Sequence, residues 1–391
     1  MTRAERAAHG FIIVDGHVDL PFRLELSSKD GHVTEDVSVR TPEGEFDLPR
    51  ARAGGLDAPF MSIFVPARYQ DTGGARAFAD HLIDLVEALP RNHPTEFALA
   101  RTPDDVRRAS AAHQIALPLG IENGAALEGK LEAIQHFRER GVSYITLTHG
   151  KDNDISDTSY ESQRTHHGLS PFGKQVVAEM NRVGIMVDVA HVSDDAFLQA
   201  VQLSQVPVIA SHSSLRHFVP GFERNVSDDM LRALAARGGV IMINFGSAFL
   251  TAAANTVSEQ RKAAAAAYAT EHGLKLEVTE DRKRIEEYVA ATLPMPLAKA
   301  TDVADHIDRV KTLVGIDHVG LGSDYEGVGP TLPVGLEDVS RYPTLLRVLI
   351  DRGYTDEELE KLCSGNVLRV WQQVLDFAAS AQPHGAARPH G

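Results

Sequence analysis

Short apolar runs separated by helical patterns are the feature that most restricts how this chain can fold. Each run is bounded by glycine, proline or polar residues, and is rich in valine, isoleucine and leucine, which is typical of strands buried on both faces of a parallel sheet. We predict eight strands, at Phe11–Val18, Pro59–Val65, Gln114–Ile121, Ser143–Thr148, Gly184–Ala190, Pro207–Ser211, Gly239–Phe245 and His318–Gly322.

Helix-start signals lie between the predicted strands. A capping hydroxyl there is followed by proline, by acidic residues or by a glutamate three residues later, all of which favour the first turn of a helix. These predicted caps are Thr102, Ser170, Ser193, Ser227 and Thr355. Eight strands alternating with helices predict an α/β fold, a (β/α)₈ barrel of the metal-dependent hydrolase kind. A doubly wound open sheet is the alternative, which the strand count disfavours.

The chain is long enough for two domains, but barrels of this size often form one. We expect a single catalytic barrel over residues 1–378, with a flexible C-terminal tail at 379–391. A segment at about 250–297 interrupts the repeat after the seventh strand, and its alanine run Ala263–Ala267 favours helix. This helical insertion is consistent with a lid, an oligomer contact or packing on the barrel rim.

Composition excludes several classes of protein and site. The single cysteine cannot form an internal disulfide or a thiolate metal site. A formal net charge of −15 disfavours binding to nucleic acid, which requires clustered lysine and arginine. No run of about 18 apolar residues is present, so we predict no membrane-spanning segment. We therefore expect a cytoplasmic protein without nucleic-acid or membrane partners.

Polar residues recur where the predicted strands end. His17 and Asp19 close the first strand, and residues two apart on a strand face the same side. The complete set at the strand ends is His17, Asp19, Glu122, His149, His191, His212 and Asp324. Barrel active sites lie at that face. Clustered imidazoles and carboxylates are expensive to bury without a cation, so the pattern predicts a metal centre.

The ligand types narrow the choice of metal. Imidazole and carboxylate suit zinc, and also manganese, cobalt or iron. The donors outnumber the needs of one tetrahedral ion, which favours two ions with Glu122 as the best-placed bridge. Two ions about 3.5–4 Å apart can hold a hydroxide between them and lower its pKa toward neutrality.

These residues, in this order, resemble the membrane (renal) dipeptidase family of zinc metallopeptidases, peptidase family M19, as a bacterial-type soluble member. The similarity covers about residues 11 to 376. Its motifs are His17-Val18-Asp19, Gly120-Ile121-Glu122-Asn123-Gly124, Tyr144-Ile145-Thr146-Leu147-Thr148-His149, Gly168-Leu169-Ser170-Pro171-Phe172-Gly173, Asp188-Val189-Ala190-His191-Val192-Ser193, Val208-Ile209-Ala210-Ser211-His212-Ser213-Ser214, Arg224-Asn225-Val226, Gly322-Ser323-Asp324-Tyr325-Glu326-Gly327 and Gly335-Leu336-Glu337-Asp338-Val339-Ser340. The ordered set is far more specific than any one motif.

The resemblance implies a zinc-dependent dipeptidase that cleaves L,L-dipeptides and also L,D-dipeptides by attack of a metal-bridging hydroxide. It also implies two Zn²⁺ ions per chain. His17 and Asp19 bind one ion, His191 and His212 bind the other, and Glu122 bridges them. A homodimer is the implied assembly.

The same resemblance assigns three further roles. His149 contacts the substrate and donates to the developing oxyanion. Arg224 offers a planar two-donor fork to the substrate's terminal carboxylate. Asp324 takes a proton from the attacking water and passes it to the departing amine.

Two other functions are open on the sequence alone. One is an amidohydrolase-type barrel acting on an N-acyl amino acid, a lactone or a cyclic amide; many such enzymes bridge their metals with a modified lysine, for which Lys151 is the candidate. The other is a non-catalytic relative, although no ligand is missing.

This chain departs from the family pattern at one place. Family members often carry tyrosines after the seventh strand, where this chain has Gly246 and Phe249.

Overall fold

Eight parallel strands close into a barrel in the computed structural model, which describes residues 1–29, 32–275 and 278–381. In chain order the barrel strands are β1 (Ile13–Val18), β2 (Leu56–Phe64), β3 (Leu119–Glu122), β4 (Val142–Thr146), β5 (Met186–Asp188), β6 (Ile209–Ala210), β7 (Val240–Ile243) and β8 (Val319–Leu321). Each strand pairs with its neighbour in the sequence, and β8 pairs with β1 to close the ring. The predicted (β/α)₈ barrel is confirmed.

The third predicted strand differs from the expectation. Its residues form two strands, because Pro118 lacks the N–H that a continuous ladder needs. Ile115–Leu117 pairs with Phe97–Leu99 in a separate two-stranded sheet, and β3 starts after the proline. The prediction of one uninterrupted strand at Gln114–Ile121 was therefore wrong.

Helices surround the barrel and begin at the predicted caps. All five predicted capping hydroxyls accept a hydrogen bond from the backbone N–H three residues later. The helices are α1 (Arg3–Gly10), α2 (Leu20–Leu26), α3 (Leu48–Gly54), α4 (Arg68–Thr72), α5 (Ala75–Asn92), α6 (Pro103–Ala111), α7 (Glu132–Glu139), α8 (Pro171–Val183), α9 (Asp194–Leu203), α10 (Asp228–Ala236), α11 (Ser247–Leu250), α12 (Ala252–His272), α13 (Thr279–Thr292), α14 (Ala300–Val314), α15 (Tyr342–Asp351), α16 (Asp356–Glu360) and α17 (Asn366–Ala381). A short antiparallel strand pair joins Ser28–Lys29 to His32–Val33.

The predicted insertion at about 250–297, after β7, is helical, as its composition predicts. The helices α11, α12 and α13 occupy it, and the rings of Tyr268 and Tyr288 stack at 4.1 Å between α12 and α13. Ile285 and Val289 are the buried contacts of α13. The predicted tail at 379–391 starts within α17, and its residues 382–391 lie outside the described part of the chain.

The barrel interior is filled, which confines chemistry to its mouth. The ring of Phe60 on β2 lies 5.4 Å from that of Tyr144 on β4 and 5.4 Å from that of Trp371 on α17. All three side chains are fully buried. A second apolar layer packs the outer faces of the strands against the helices. Among the described helices, we find none long and apolar enough to cross a bilayer.

Candidate active site

The predicted site residues meet at one mouth of the barrel. Each lies at or just beyond the carboxyl end of a strand, because parallel strands deliver their last residues to the same face. His17 and Asp19 are at β1, Glu122 ends β3, His149 follows β4, His191 follows β5, His212 follows β6 and Asp324 follows β8. Arg224 reaches the same mouth from the loop between β6 and α10.

Glu122 is the centre of the cluster. Its Oε1 lies 2.9 Å from His191 Nε2, and 3.4 Å from the Nε2 atoms of both His149 and His212. Its other oxygen, Oε2, lies 3.5 Å from His17 Nε2. The two carboxylate oxygens therefore face different imidazoles, an arrangement that suits a ligand shared by two cations.

The donor set fits a metal ion. The buried atoms His17 Nε2 and Asp19 Oδ1 have no hydrogen-bond partner among the described residues, and His17 Nε2 lies 3.5 Å from Asp19 Oδ2. The Nε2 atoms of His191 and His212 are 2.7 Å apart. Buried nitrogen and oxygen atoms that converge in this way are the ligands that zinc and similar ions take. One protein donor also reaches the group, since the Arg224 guanidinium lies 3.1 Å from His191 Nε2.

The electrostatics at Glu122, His191 and His212 favour the protonation states that bind cations. Burial by itself raises the pKa of Glu122, but the charges of His149 and His17 hold that pKa well below its usual value. Burial lowers the pKa values of His191 and His212 far below the ordinary value, helped by Arg224 and by His17 respectively. An ionised carboxylate thus stands beside the neutral imidazoles of His191 and His212. Burial also lowers the pKa of His17, but Tyr144, Asp19 and Glu122 outweigh it and hold that pKa well above its usual value.

Asp324 is a buried acid beside this cluster. Its Oδ2 accepts a hydrogen bond from the Asn244 amide at 2.7 Å. The pKa of Asp324 is raised to about 7, mainly by burial and also by the charges of Asp19 and Glu122, whereas His17 opposes the shift. A carboxyl group with a pKa near neutrality can both accept and release a proton at neutral pH.

Backbone strain also concentrates at this mouth. His191 and Asp324 adopt left-handed φ values of 67° and 65°, and the neighbouring Asn123 and Glu326 have φ values of 87° and 71°. Non-glycine residues adopt this region rarely, and in folded proteins such strain clusters at functional sites.

Arg224 is buried and aimed at the imidazole cluster. Its guanidinium donates to the Ser213 hydroxyl at 2.6 Å and to the His212 carbonyl at 2.7 Å. Its Nε donates to His191 Nδ1 at 3.2 Å, and the guanidinium carbon lies 5.3 Å from the centre of the Phe249 ring. The cation is thus held in place against the imidazole cluster by several protein groups.

A cavity of about 520 Å³ opens over these residues. Its floor includes Glu122, His149, His191 and Asp324. Aromatic side chains form the sides, and one face of α12 forms part of the outer wall. Those wall residues are Phe22, Phe64, Tyr160, Phe222, Phe249, Asn255, Ser258, Glu259 and Lys262. The volume is in the range of small-molecule sites.

Sequence reasoning missed several residues of this cavity. Tyr160 lies in a polar loop and carries no strand-end signal. The stripe that α12 contributes is polar, so no apolar periodicity marks it as packed against anything. Tyr144 lies within a motif we singled out, yet only His149 of that motif was considered. Asn244 directly follows β7, so the strand-end rule was sufficient to find it.

Two aspartates stabilise the backbone under the cluster. Asp15 accepts hydrogen bonds from the backbone N–H groups of His17 and Ser323, both at 3.0 Å. Asp188 accepts from the Ser211 hydroxyl at 2.6 Å, and that hydroxyl lies 2.7 Å from His212 Nδ1.

Lys151, the candidate for a modified bridging lysine, is directed elsewhere. Its side chain is 54% exposed, and Nζ lies 3.5 Å from Asp71 Oδ2. Lys151 is also absent from the described residues that line the cavity over the cluster. This geometry disfavours an amidohydrolase with a lysine bridge.

Comparison with known proteins identifies the family of this chain. The family model for membrane dipeptidase (peptidase family M19) matches residues 1–384. Dipeptidase 3 of Mus musculus is 32% identical over 372 residues, which cover 93% of this chain and 64% of the mouse protein. Dipeptidase 3 of Homo sapiens is 31% identical over 399 residues, covering 100% of this chain and 71% of the human protein. The chain thus spans somewhat less than two thirds of the mouse relative's length.

Solved structures share the fold. The probable dipeptidase PvdM from Pseudomonas aeruginosa superposes with a TM-score of 0.81 at 26% identity, over 96% of this chain and 98% of that chain. A metallopeptidase from Rhodobacter sphaeroides, solved with a phosphinate mimic of the dipeptide L-Ala-D-Ala, gives a TM-score of 0.74 at 23% identity, over 93% and 99% of the two chains. Because the family model matches nearly the whole sequence, this chain belongs to the membrane dipeptidase family, peptidase family M19.

Proposed function

We propose that this chain is a zinc-dependent dipeptidase that hydrolyses L,L-dipeptides and also L,D-dipeptides. The observation that carries the proposal is a buried carboxylate, Glu122, surrounded by four imidazoles. A second acid, Asp324, lines the same cavity, and a buried guanidinium, Arg224, donates to His191 on the cavity floor. Family membership supports the same chemistry.

Two Zn²⁺ ions are the cofactor we propose. His17 and Asp19 would hold one ion, His191 and His212 the other, and Glu122 would bridge them; the unpartnered His17 Nε2 and Asp19 Oδ1 support this assignment. When bound, the ions supply Lewis acidity that lowers the pKa of water and polarises the scissile carbonyl.

The chain's own residues would then bind the substrate and move its protons. Asp324 accepts the proton of the attacking water and delivers it to the departing amine, a role that its raised pKa supports. His149 donates a hydrogen bond to the oxygen of the former carbonyl as negative charge develops there. Arg224 receives the terminal carboxylate, which limits the preferred substrates to dipeptides.

The test is a panel of L,L- and L,D-dipeptides assayed with zinc-loaded protein and with protein treated with a chelator. We expect turnover that depends on zinc and returns when the metal is restored. The same panel includes an N-acetyl amino acid, a lactone and a cyclic amide. Turnover of those compounds alone would favour the amidohydrolase alternative, and no turnover of any dipeptide would reject the proposal.

Replacing Arg224 with alanine is expected to lower kcat/KM for a dipeptide by about 10- to 100-fold, because a charge-assisted pair with the substrate carboxylate is lost. The matched measurement uses the dipeptide amide, which lacks that carboxylate. The wild-type preference for the free acid is expected to disappear in the variant. Arg216→Ala is the control, since Arg216 pairs with Asp194 instead. A preserved preference in Arg224→Ala would contradict the assignment.

Lys262 on α12 is expected to influence the side chain accepted at the C-terminal position. Its ammonium lies 2.8 Å from Glu259 Oε1 and 5.9 Å from the centre of the Tyr160 ring, on the cavity wall. Lys262→Glu should shift the ratio of kcat/KM for Ala-Glu over Ala-Lys toward Ala-Lys by about three- to fivefold, the scale of an exposed charge pair. Lys361→Glu is the control, because that lysine pairs with Asp317 and Glu357. An unchanged ratio in Lys262→Glu would show that Lys262 on α12 does not interact with the side chain of the substrate.

We also propose a cytoplasmic homodimer. The single cysteine, Cys363, is buried and unbonded, as suits a reducing compartment. Tyr288 and Leu297, in the insertion, expose 38% and 42% of their surface, which an interface would cover. Light scattering that gives twice the mass of one chain would support the dimer, and a single-chain mass would exclude it.

A further inference from the structure

Tyr144 is a fully buried tyrosine under the candidate metal centre. It comes from β4, and its ring fills the barrel interior beside Phe60. Gly120 on β3 makes room for that ring, because a Cβ at position 120 would lie 2.0 Å from the ring carbon that bears the hydroxyl. The ring therefore has a fixed place, and its hydroxyl points toward the barrel mouth.

The hydrogen bonds of this hydroxyl determine where the proton of His17 lies. The Tyr144 oxygen is 2.9 Å from His17 Nδ1 and 3.1 Å from the carbonyl oxygen of Gly16. A carbonyl can only accept, so the phenol donates its single hydrogen to Gly16. The phenol oxygen must then accept from His17, which places a proton on Nδ1.

We propose that Tyr144 is a positioning residue that holds the His17 proton on Nδ1 and so presents Nε2 as a metal ligand. The other ring nitrogen, Nε2, lies 3.5 Å from carboxylate oxygens of both Asp19 and Glu122. A metal-bound histidine is oriented by the partner of its other nitrogen, and loss of such a partner typically weakens metal binding. The inference rests on the metal centre of the proposed function.

The Nδ1 atom of His212, a proposed ligand of the other ion, has a different hydrogen-bond partner from that of His17. Its Nδ1 lies 2.7 Å from the Ser211 hydroxyl, which donates to Asp188 at 2.6 Å. Tyr144 makes no hydrogen bond to His212 or His191 among the described residues. Removing the Tyr144 hydroxyl should therefore lower the affinity for the ion that His17 binds and leave the affinity for the other ion unchanged.

The test is Tyr144→Phe, measured by competition between the protein and a zinc chelator. We expect the affinity for one of the two ions to fall by about 10- to 100-fold, while the second stays close to wild type. Tyr325→Phe is the matched control, because it removes an equally buried phenol that donates to the Leu336 carbonyl. Its zinc affinities should remain unchanged. Two wild-type affinities in Tyr144→Phe would overturn the inference.

A second measurement needs no variant. Nitrogen-detected NMR of zinc-loaded wild-type protein with labelled histidine is expected to show His17 protonated at Nδ1. Protonation at Nε2 would overturn the inference even if Tyr144→Phe failed to fold. If the wild-type protein bound no zinc at all, the proposed function itself would fail, which is a separate outcome.

Discussion

Asp324→Asn is expected to lower kcat on dipeptides by about 100- to 10,000-fold, the usual contribution of a positioned acid–base group. Asparagine keeps the shape of the side chain and can still face the Asn244 amide after a flip of its own amide. It cannot accept the proton of the attacking water or return it to the leaving amine. We therefore expect KM to change far less than kcat.

The metal content of Asp324→Asn distinguishes a proton-transfer role of Asp324 from a role as a metal ligand. The carboxylate of Asp324 lies within reach of the same position as His17 and Asp19, so it is also placed to act as a ligand. We expect Asp324→Asn to retain both zinc ions when measured by atomic emission. Loss of one ion together with activity would show that Asp324 binds metal, and near-normal kcat would contradict both roles.

The control for this variant removes a carboxylate at the opposite end of the barrel. Asp57 lies on β2, where it accepts hydrogen bonds from the Ile13 backbone N–H and the Ser110 hydroxyl, both at 2.9 Å. Asp57→Asn should affect thermal stability without changing kcat. A similar fall in kcat in both variants would indicate a general structural effect.

The clustering of the candidate ligand residues was predictable from the sequence because two local rules combine. Residues two apart on a strand share a side, and parallel strands in a barrel end at one face. These rules place His17, Asp19 and Glu122 near one another without any knowledge of loops. His191 and His212 follow their strands by only a few residues, which leaves little freedom in their direction.

Other parts of the site depend on tertiary packing that no local pattern records. Tyr160 lies on a long loop that extends to the cavity. The face of α12 that lines the cavity is polar, so in the sequence it looks like a solvent-exposed helix face. Asp324 adopts a left-handed backbone, which aspartate tolerates better than most residues, but no local pattern marks this position for it. The break at Pro118 could have been predicted, because proline has no N–H to donate to the hydrogen bonds between strands. The apolar residues on both sides of Pro118 instead suggested one continuous strand.

Glu122→Gln is expected to have the largest effect on the metal centre. Glutamine keeps the length and shape but carries no charge, and its NH₂ group directs hydrogens at one side of the cluster. We expect zinc affinity to fall by more than about 100-fold, since losing even a partner of a ligand costs 10- to 100-fold. Zinc stoichiometry should drop below two and dipeptide turnover should be lost with it.

Glu122→Asp tests whether the negative charge of Glu122 or the length of its side chain holds the two ions. Aspartate restores the negative charge on a side chain one methylene shorter, whereas the glutamate oxygens span from His17 on one side to His191 on the other. If bridging requires that span, Glu122→Asp should recover one zinc ion but little turnover. If charge alone holds the ions, it should recover two. Two tightly bound ions in Glu122→Gln would contradict the bridge, because His17, Asp19, His191 and His212 would then suffice to hold both cations.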